Sequence, residues 1–391
     1  MLKPPHPAAV LGYVTAMLIN PNNHALDGGP ATAAMERDVT ARLAEMFRMP
    51  QHLGHLTSSG TMANLEALFV ARELSPGRAV AFSADAHYTH ARMCHVLGIE
   101  GLAITTDDRG RMDVQALEAA LRAGRIGTIV ATLGTTGLGA LDPLPEILAV
   151  AGEYGARVHV DAAYGGFFAL IADDSPEGVA SAPFAAVAQA DSVVIDPHKH
   201  GLQPYGCGAI LFSDPSVGRF FAHDSPYTYF TSDDLHLGEI SLECSRAGAA
   251  AAALWLTLEV LPLTAEGLGE ALRPGRSGAL AWHELLRASD ALAPFQTPEL
   301  DIVTYLPTRD SISQVDAASG SVFVRAAAAP PSEQIHIATY AATAAQFAAR
   351  GLAITPDVPS GRILRSVVMK PESGAAIPSI HARLEELAAI P

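Results

Sequence analysis

Between about residue 53 and residue 215, short apolar runs alternate with longer stretches whose apolar positions recur every three or four residues. The runs are AVAFS (79–83), LAITT (102–106), TIVATLG (128–134), RVHVD (157–161), SVVID (192–196) and GAILFS (208–213). Nearly unbroken apolar runs of this length predict strands buried on both faces. Helical patterns lie between most of them. The segment 61–74 places Met62, Leu65, Leu68 and Phe69 on one face, and 112–124 does the same with Val114, Leu117 and Leu121. Strand–helix–strand repetition predicts an α/β fold with a mostly parallel central sheet flanked by helices. The crossovers should be right-handed.

The flanks read differently. Residues 1–50 form an N-terminal arm with a helix, entered through the turn-rich NPNNHALDGGP (20–30), with Thr32 as its expected N-cap. A long helix is expected over 245–261. Its most apolar part, AGAAAAALWLTL, has about twelve residues against the roughly 20 of a membrane span, so it reads as a buried helix. The Gly-rich segment 264–278 reads as a boundary. Beyond it the pattern predicts a helix near 279–289, strands near 301–306 and 321–325, an Ala-rich helix near 333–350 and a strand over 361–369. The expected organisation is an arm (1–50), a large domain (51–264) and a smaller C-terminal α+β domain (265–391).

Composition narrows the function classes. The 391 residues are 49% hydrophobic and 17% charged, which excludes extended disorder. Lys and Arg total 25 against 41 Asp and Glu, a formal charge of −16. Such a surface repels phosphate backbones and anionic membranes, so neither nucleic acid nor membrane is an expected partner. Three scattered cysteines (Cys94, Cys207, Cys244) suit a reducing compartment and offer no disulfide framework; no metal site is expected. MLKPPHPAAV lacks the apolar run of a secretory signal, so the expectation is a cytoplasmic protein.

The chemistry sits in the turns after the strands. DPHKHG (196–201) puts Lys199 at a strand end, where a parallel sheet exposes its ligand site and where an amine can form a Schiff base. By itself it could be a solvated loop lysine. HVDAAYGG (159–166) ends a strand on Asp161, which could pair with a protonated ring nitrogen or merely cap a helix. TSSGTMANL (57–65) offers Ser59, Gly60 and Thr61 at a helix N-terminus, a phosphate cradle or an ordinary cap. In SADAHYTH (83–90), His87 could stack on a planar ring. In ATLGTTGLGALDP (131–143), Thr136 could donate to a phenolate or carboxylate, or simply close a turn. Taken together, these loops fit one ligand with a phosphate, a basic aromatic nitrogen and an aldehyde: pyridoxal 5′-phosphate.

These motifs, with the AHYTH histidine, resemble the group II pyridoxal-dependent decarboxylase family of fold type I, which includes aromatic-amino-acid, glutamate and diaminobutyrate decarboxylases. The resemblance runs from about Asn20 to Pro262, with a weaker echo in ILRSVVMKP near the C-terminus. It implies Lys199 as the Schiff-base lysine, Asp161 at the pyridine nitrogen, His87 on the ring and Ala163 beneath it. It places Ser59, Gly60, Thr61 and His198 near the phosphate, and Thr136 near the phenolic oxygen or the substrate carboxylate. The implied reaction is decarboxylation of an L-amino acid to an amine and CO2. In the family a tyrosine about thirty residues after the lysine acts as acid, which points to Tyr227 or Tyr229. The implied assembly is a homodimer with a shared site, its substrate walls drawn from the arm (Asn23, His24) and from Arg365. The chain departs from the family in being short and in carrying His200, where many members have an aromatic. Other lyase or aldolase chemistry, decarboxylation coupled to oxidation, transamination and a non-catalytic scaffold are the competing readings.

Overall fold

The computed structural model describes residues 3–222, 236–370 and 372–390. Its larger sheet has seven strands: β1 (Leu53–Thr57), β2 (Ala79–Ser83), β3 (Gly101–Ile104), β4 (Ile126–Thr132), β5 (Arg157–Asp161), β6 (Ser192–Ile195) and β7 (Gly208–Phe212). Their order is β1-β7-β6-β5-β4-β2-β3. Strands β2 to β6 pair parallel, and β7 is antiparallel to both β6 and β1. It follows that β1 runs with β6. Strands β2, β4, β6 and β7 are buried along their whole length, which explains their unbroken apolar sequences.

Helices α1 (Pro7–Met17) and α2 (Pro30–Met46) form the arm. Helices α3 (Gly60–Leu74), α4 (Thr89–Leu97), α5 (Val114–Arg122), α6 (Leu144–Tyr154) and α7 (Ser181–Ala186) come from the connections of the large sheet. The apolar segment after Arg246 is α8 (Ala249–Val260), whose alanines and leucines are mostly buried. It packs against α1 and α2. A Cβ on Gly12 would lie 2.7 Å from the Ala252 carbonyl oxygen, so this glycine permits the close α1–α8 approach. No described helix is long and apolar enough to cross a membrane.

A second sheet, in the order β10-β11-β9-β8, comprises β8 (Leu292–Pro294), β9 (Ile302–Pro307), β10 (Ala338–Thr343) and β11 (Ser360–Val367), all paired antiparallel. Helices α9 (Arg273–Arg287), α10 (Ile312–Ala328), α11 (Ala344–Ala349) and α12 (Ser373–Ala389) accompany it.

Several expected elements differ. The strand expected at 321–325 lies inside α10. Val322 is buried while Phe323 and Val324 are 39% and 62% exposed, so the segment presents a helical stripe, not an alternating face. Ser311 starts this helix by accepting from the Gln314 N–H. The Ala-rich helix expected over 333–350 is instead β10 followed by the six-residue α11. Pairing of Ala338 to Thr343 with Arg365 to Ser360 overrides the helix preference of alanine. Helix α9 begins at Arg273, inside the expected boundary segment, with a proline in its first turn. Thr32 is not the N-cap of α2: Gly29 holds that position, and the Thr32 hydroxyl binds Asn23 Oδ1 at 2.6 Å.

Candidate active site

Strands β1, β2, β4, β5 and β6 all end at one edge of the large sheet, so the turns that follow them open on one cleft. Its volume is about 240 Å3. Ser59, Gly60, Thr61, His87, Thr136, Asp161, Ala163, His198 and Lys199 all line it. The chain has three lysines, Lys3, Lys199 and Lys370, and among them Lys199 alone lines this cleft.

The turn after β1 ends on Ser59, whose hydroxyl accepts from the Met62 N–H at 3.3 Å and caps α3. A 15-residue helix therefore aims its free N–H groups and the positive end of its dipole into the cleft. A Cβ on Gly60 would lie 2.6 Å from Asp196 Oδ2, so only glycine admits that carboxylate so close to the helix start. Asp196 Oδ2 in turn lies 2.9 Å from Lys199 Nζ.

Asp161 ends β5 and is 5% exposed. Its Oδ2 lies 2.8 Å from His90 Nε2, and its Oδ1 accepts from the Ala163 N–H at 3.1 Å. Burial alone would raise this carboxyl. The hydrogen bond and charge of His90, the charge of Lys199 and the Ala163 N–H reverse that and hold it well below the usual carboxylate range. An ionised carboxylate is thus kept deep in the cleft. His87 is lowered, chiefly by burial; nearby Asp161 opposes this and Lys199 adds to it. Its Nδ1 accepts from the Thr89 N–H, which fixes the ring. His198 is also lowered by burial, and its Nδ1 lies 2.7 Å from the Cys207 carbonyl oxygen.

Asn23, His24 and Arg365 are not among the residues that line the cleft. Asn23 is buried and binds Thr32 and Glu36. His24 Nδ1 lies 3.0 Å from the Cys244 carbonyl oxygen. Arg365 donates from Nε to the Gly137 carbonyl oxygen, directly behind Thr136. Tyr227 and Tyr229 lie outside the described residues. Sequence reasoning missed Asn64, Thr132, Tyr164 and Asp196 as lining residues, and His90 as the partner of Asp161. His90 follows His87 by three positions in the same motif, in the first turn of α4, so the motif already carried it.

The profile of the pyridoxal-dependent decarboxylase conserved domain matches residues 6–290. The chain belongs to the pyridoxal-dependent decarboxylase family. An L-tyrosine decarboxylase of Enterococcus faecium is 29% identical, over 71% of this chain and 61% of its own length. A probable L-aspartate decarboxylase of Halobacterium salinarum is 34% identical, over 67% of this chain and 70% of its own. The chain thus spans about three fifths of the first relative and about seven tenths of the second. The crystal structure of Oryza sativa TDC with PLP and tryptamine superposes with a TM-score of 0.83 at 19% identity, over 98% of this chain and 81% of that one, which shows the shared fold. The fold is therefore that of the type I pyridoxal-phosphate enzymes.

The cofactor of this decarboxylase family is pyridoxal 5′-phosphate, and the residues present suit it. Phosphate matches the α3 N-terminus with Ser59, Gly60, Thr61 and His198; a ring nitrogen matches ionised Asp161; an aldehyde matches Lys199. Thr132 Oγ1 and Thr89 Oγ1, on lining residues, are buried without a hydrogen-bond partner among the described residues. Among those residues no cluster suits a metal ion.

Proposed function

We propose that this chain removes CO2 from an L-amino acid and releases the amine, with its cofactor attached at Lys199. The observation that carries this reading is the gathering of Lys199, ionised Asp161, His87 and the capped α3 N-terminus in one cleft. When bound, pyridoxal phosphate supplies the electron sink that accepts the pair left at Cα as CO2 departs. Asp161, held ionised with His90 on one oxygen, would keep the proton on the ring nitrogen. Asp196 holds the Lys199 amine at 2.9 Å within the cleft. His87, fixed by the Thr89 N–H, would stack on the cofactor ring, and the small Ala163 would leave room for it. Thr136, which lines the cleft, would donate to the phenolic oxygen or the substrate carboxylate. Arg365, through Gly137, sets the wall that carries Thr136. His24, half-buried and outside this cleft, would reach substrate only as a wall supplied across a dimer, whereas fully buried Asn23 holds the arm through Thr32 and Glu36.

The proton that returns to Cα is assigned to Tyr229 or Tyr227. Replacing the responsible tyrosine by phenylalanine should cut amine release by roughly 10²–10⁴-fold, and cofactor binding should persist. We further propose a homodimer. Leu11, Leu18 and Ile19, on and just after α1, are 62%, 82% and 72% exposed, an apolar patch that a second copy would cover. The three unbridged cysteines support placement in the cytoplasm.

The test is incubation of the holo-protein with each of the twenty L-amino acids, with mass-spectrometric scoring of amine, aldehyde and keto acid. Amine with stoichiometric CO2 is the expected result. Aldehyde would point to oxidation coupled to decarboxylation, and keto acid to transamination. Turnover of none would leave a scaffold.

A further inference from the structure

The residue after Lys199 is a buried histidine that the reading above does not use. His200 is 1% exposed, and its two ring nitrogens face different acceptors. Nδ1 lies 3.0 Å from the Tyr164 carbonyl oxygen, and Nε2 lies 2.9 Å from Asp301 Oδ2. A carbonyl oxygen and a carboxylate accept hydrogen bonds and donate none. A neutral imidazole would set a bare nitrogen lone pair against an oxygen in one of these two contacts. Both contacts are satisfied only when both nitrogens carry hydrogen. The Tyr164 hydroxyl donates to the other oxygen of Asp301. The three residues therefore close a ring of hydrogen bonds: His200 to Asp301, Tyr164 to Asp301, and His200 to the Tyr164 backbone.

The location of this ring gives it a use. Tyr164 lines the cleft, follows Ala163 directly and lies three positions after Asp161. His200 follows Lys199, and Asp301 directly precedes β9 of the second sheet. The rings of Tyr164 and Phe168 meet the His200 ring edge-on at 4.7 Å and 4.8 Å and hold its plane. We propose that His200 is a positioning residue: as a two-fold hydrogen donor it brackets the turn bearing Lys199 to the turn bearing Asp161 and Ala163, with Asp301 as a brace from the second sheet.

The charge of Asp301 itself favours hydrogen on both His200 nitrogens. Burial would raise the Asp301 carboxyl, but the charge and hydrogen bond of His200 and the Tyr164 hydroxyl bring it below its ordinary value. Arg276, Arg365 and Lys3 also feel the Asp301 charge.

The inference takes Lys199 and Asp161 as the cofactor contacts and so rests on the reading above, but its test does not use turnover. The protein is labelled with ¹⁵N-histidine, and the ring in contact with Phe168 and Tyr164 is identified in the wild-type apo-protein at pH 7. Directly bonded hydrogen at both of its nitrogens is expected, with one of them lost in Asp301→Asn. Titration of apo-protein with pyridoxal 5′-phosphate, followed by visible absorbance, should give a dissociation constant raised roughly tenfold in both His200→Gln and Asp301→Asn. A purely structural role would lower the apo-protein melting temperature and leave that constant alone. A wild-type ring with one bare nitrogen, or unchanged constants in both variants, would overturn the proposal. If a variant fails to fold, the wild-type spectrum decides. If the wild type binds no pyridoxal 5′-phosphate, the reading above fails, and the nitrogen spectrum still judges the bracket.

Discussion

Asp161 sits at the last position of β5 with one carboxylate oxygen on His90 Nε2 and the other on the Ala163 N–H. Its replacement by Asn preserves shape and removes charge. Asp161→Asn should therefore fold normally, retain the cofactor less well and lose roughly 10²–10³-fold in turnover, the scale of one buried electrostatic contact. Steady-state rates and the absorbance of bound cofactor measure both effects. Gly60 makes a second case at the same scale. Gly→Ala at a helical position ordinarily gains about 1 kcal/mol. Here the new Cβ would come within 2.6 Å of Asp196, the carboxylate that holds Lys199. Gly60→Ala should instead lower the melting temperature and weaken cofactor binding. A more stable variant with unchanged cofactor affinity would contradict the assigned packing.

At the scale of elements, His159 ties three of them together. On β5, its Nε2 meets Asn64 Oδ1 of α3 at 2.9 Å and its Nδ1 meets Ser192 Oγ of β6 at 2.9 Å. Burial is the main cause that pushes it down from 6.5 to about 3, so the folded protein keeps it neutral. The unfolded chain takes up a proton below about pH 6.5 and the folded one does not. This part of the stability is full above pH 6.5 and is lost as pH falls towards 3. Between pH 6.5 and 5 the loss should be about 2 kcal/mol. Denaturant unfolding at the two pH values measures it, and His159→Asn should flatten the slope. The elements also show what the sequence pattern could carry. The six strands read from it each overlap an observed strand of the large sheet closely; for β2, β4, β6 and β7 the signal is burial on both faces, which makes them nearly unbroken apolar runs. Strand β1, LGHLT, escaped because Gly54 and His55 interrupt the pattern; a Cβ on Gly54 would lie 2.4 Å from Leu211, and His55 is paired to buried Glu66. Strand β10 escaped because it sits at the edge of its sheet, mostly half-exposed, and its alanines mimic a helix.

At the scale of the whole molecule, the apolar patch on and after α1 makes a claim about assembly. The wild type should sediment as a dimer, and Leu11→Glu with Leu18→Glu should shift it to the monomer and lower activity. A wild type that is monomeric at all concentrations would remove the proposed shared site. The cleft-lining residues named from the sequence were legible because each lies at or soon after the end of a strand, where local motif and position coincide. Asp301 was not legible: it lies 101 positions from its partner His200, and the strand near it carries no local sign of the pairing. The position of Arg365 was not legible for the same reason: it does not line the cleft and binds the Gly137 carbonyl, 228 positions away, next to the lining residue Thr136. The claim on which the rest depends is that Lys199 carries the cofactor, and with three lysines in the chain it can be tested directly. Holo-protein is reduced with borohydride, digested and mapped by mass spectrometry. The pyridoxyl group should be found on the peptide containing Lys199; its recovery on Lys3 or Lys370, or on no peptide of a protein that absorbs in the visible, would contradict the account.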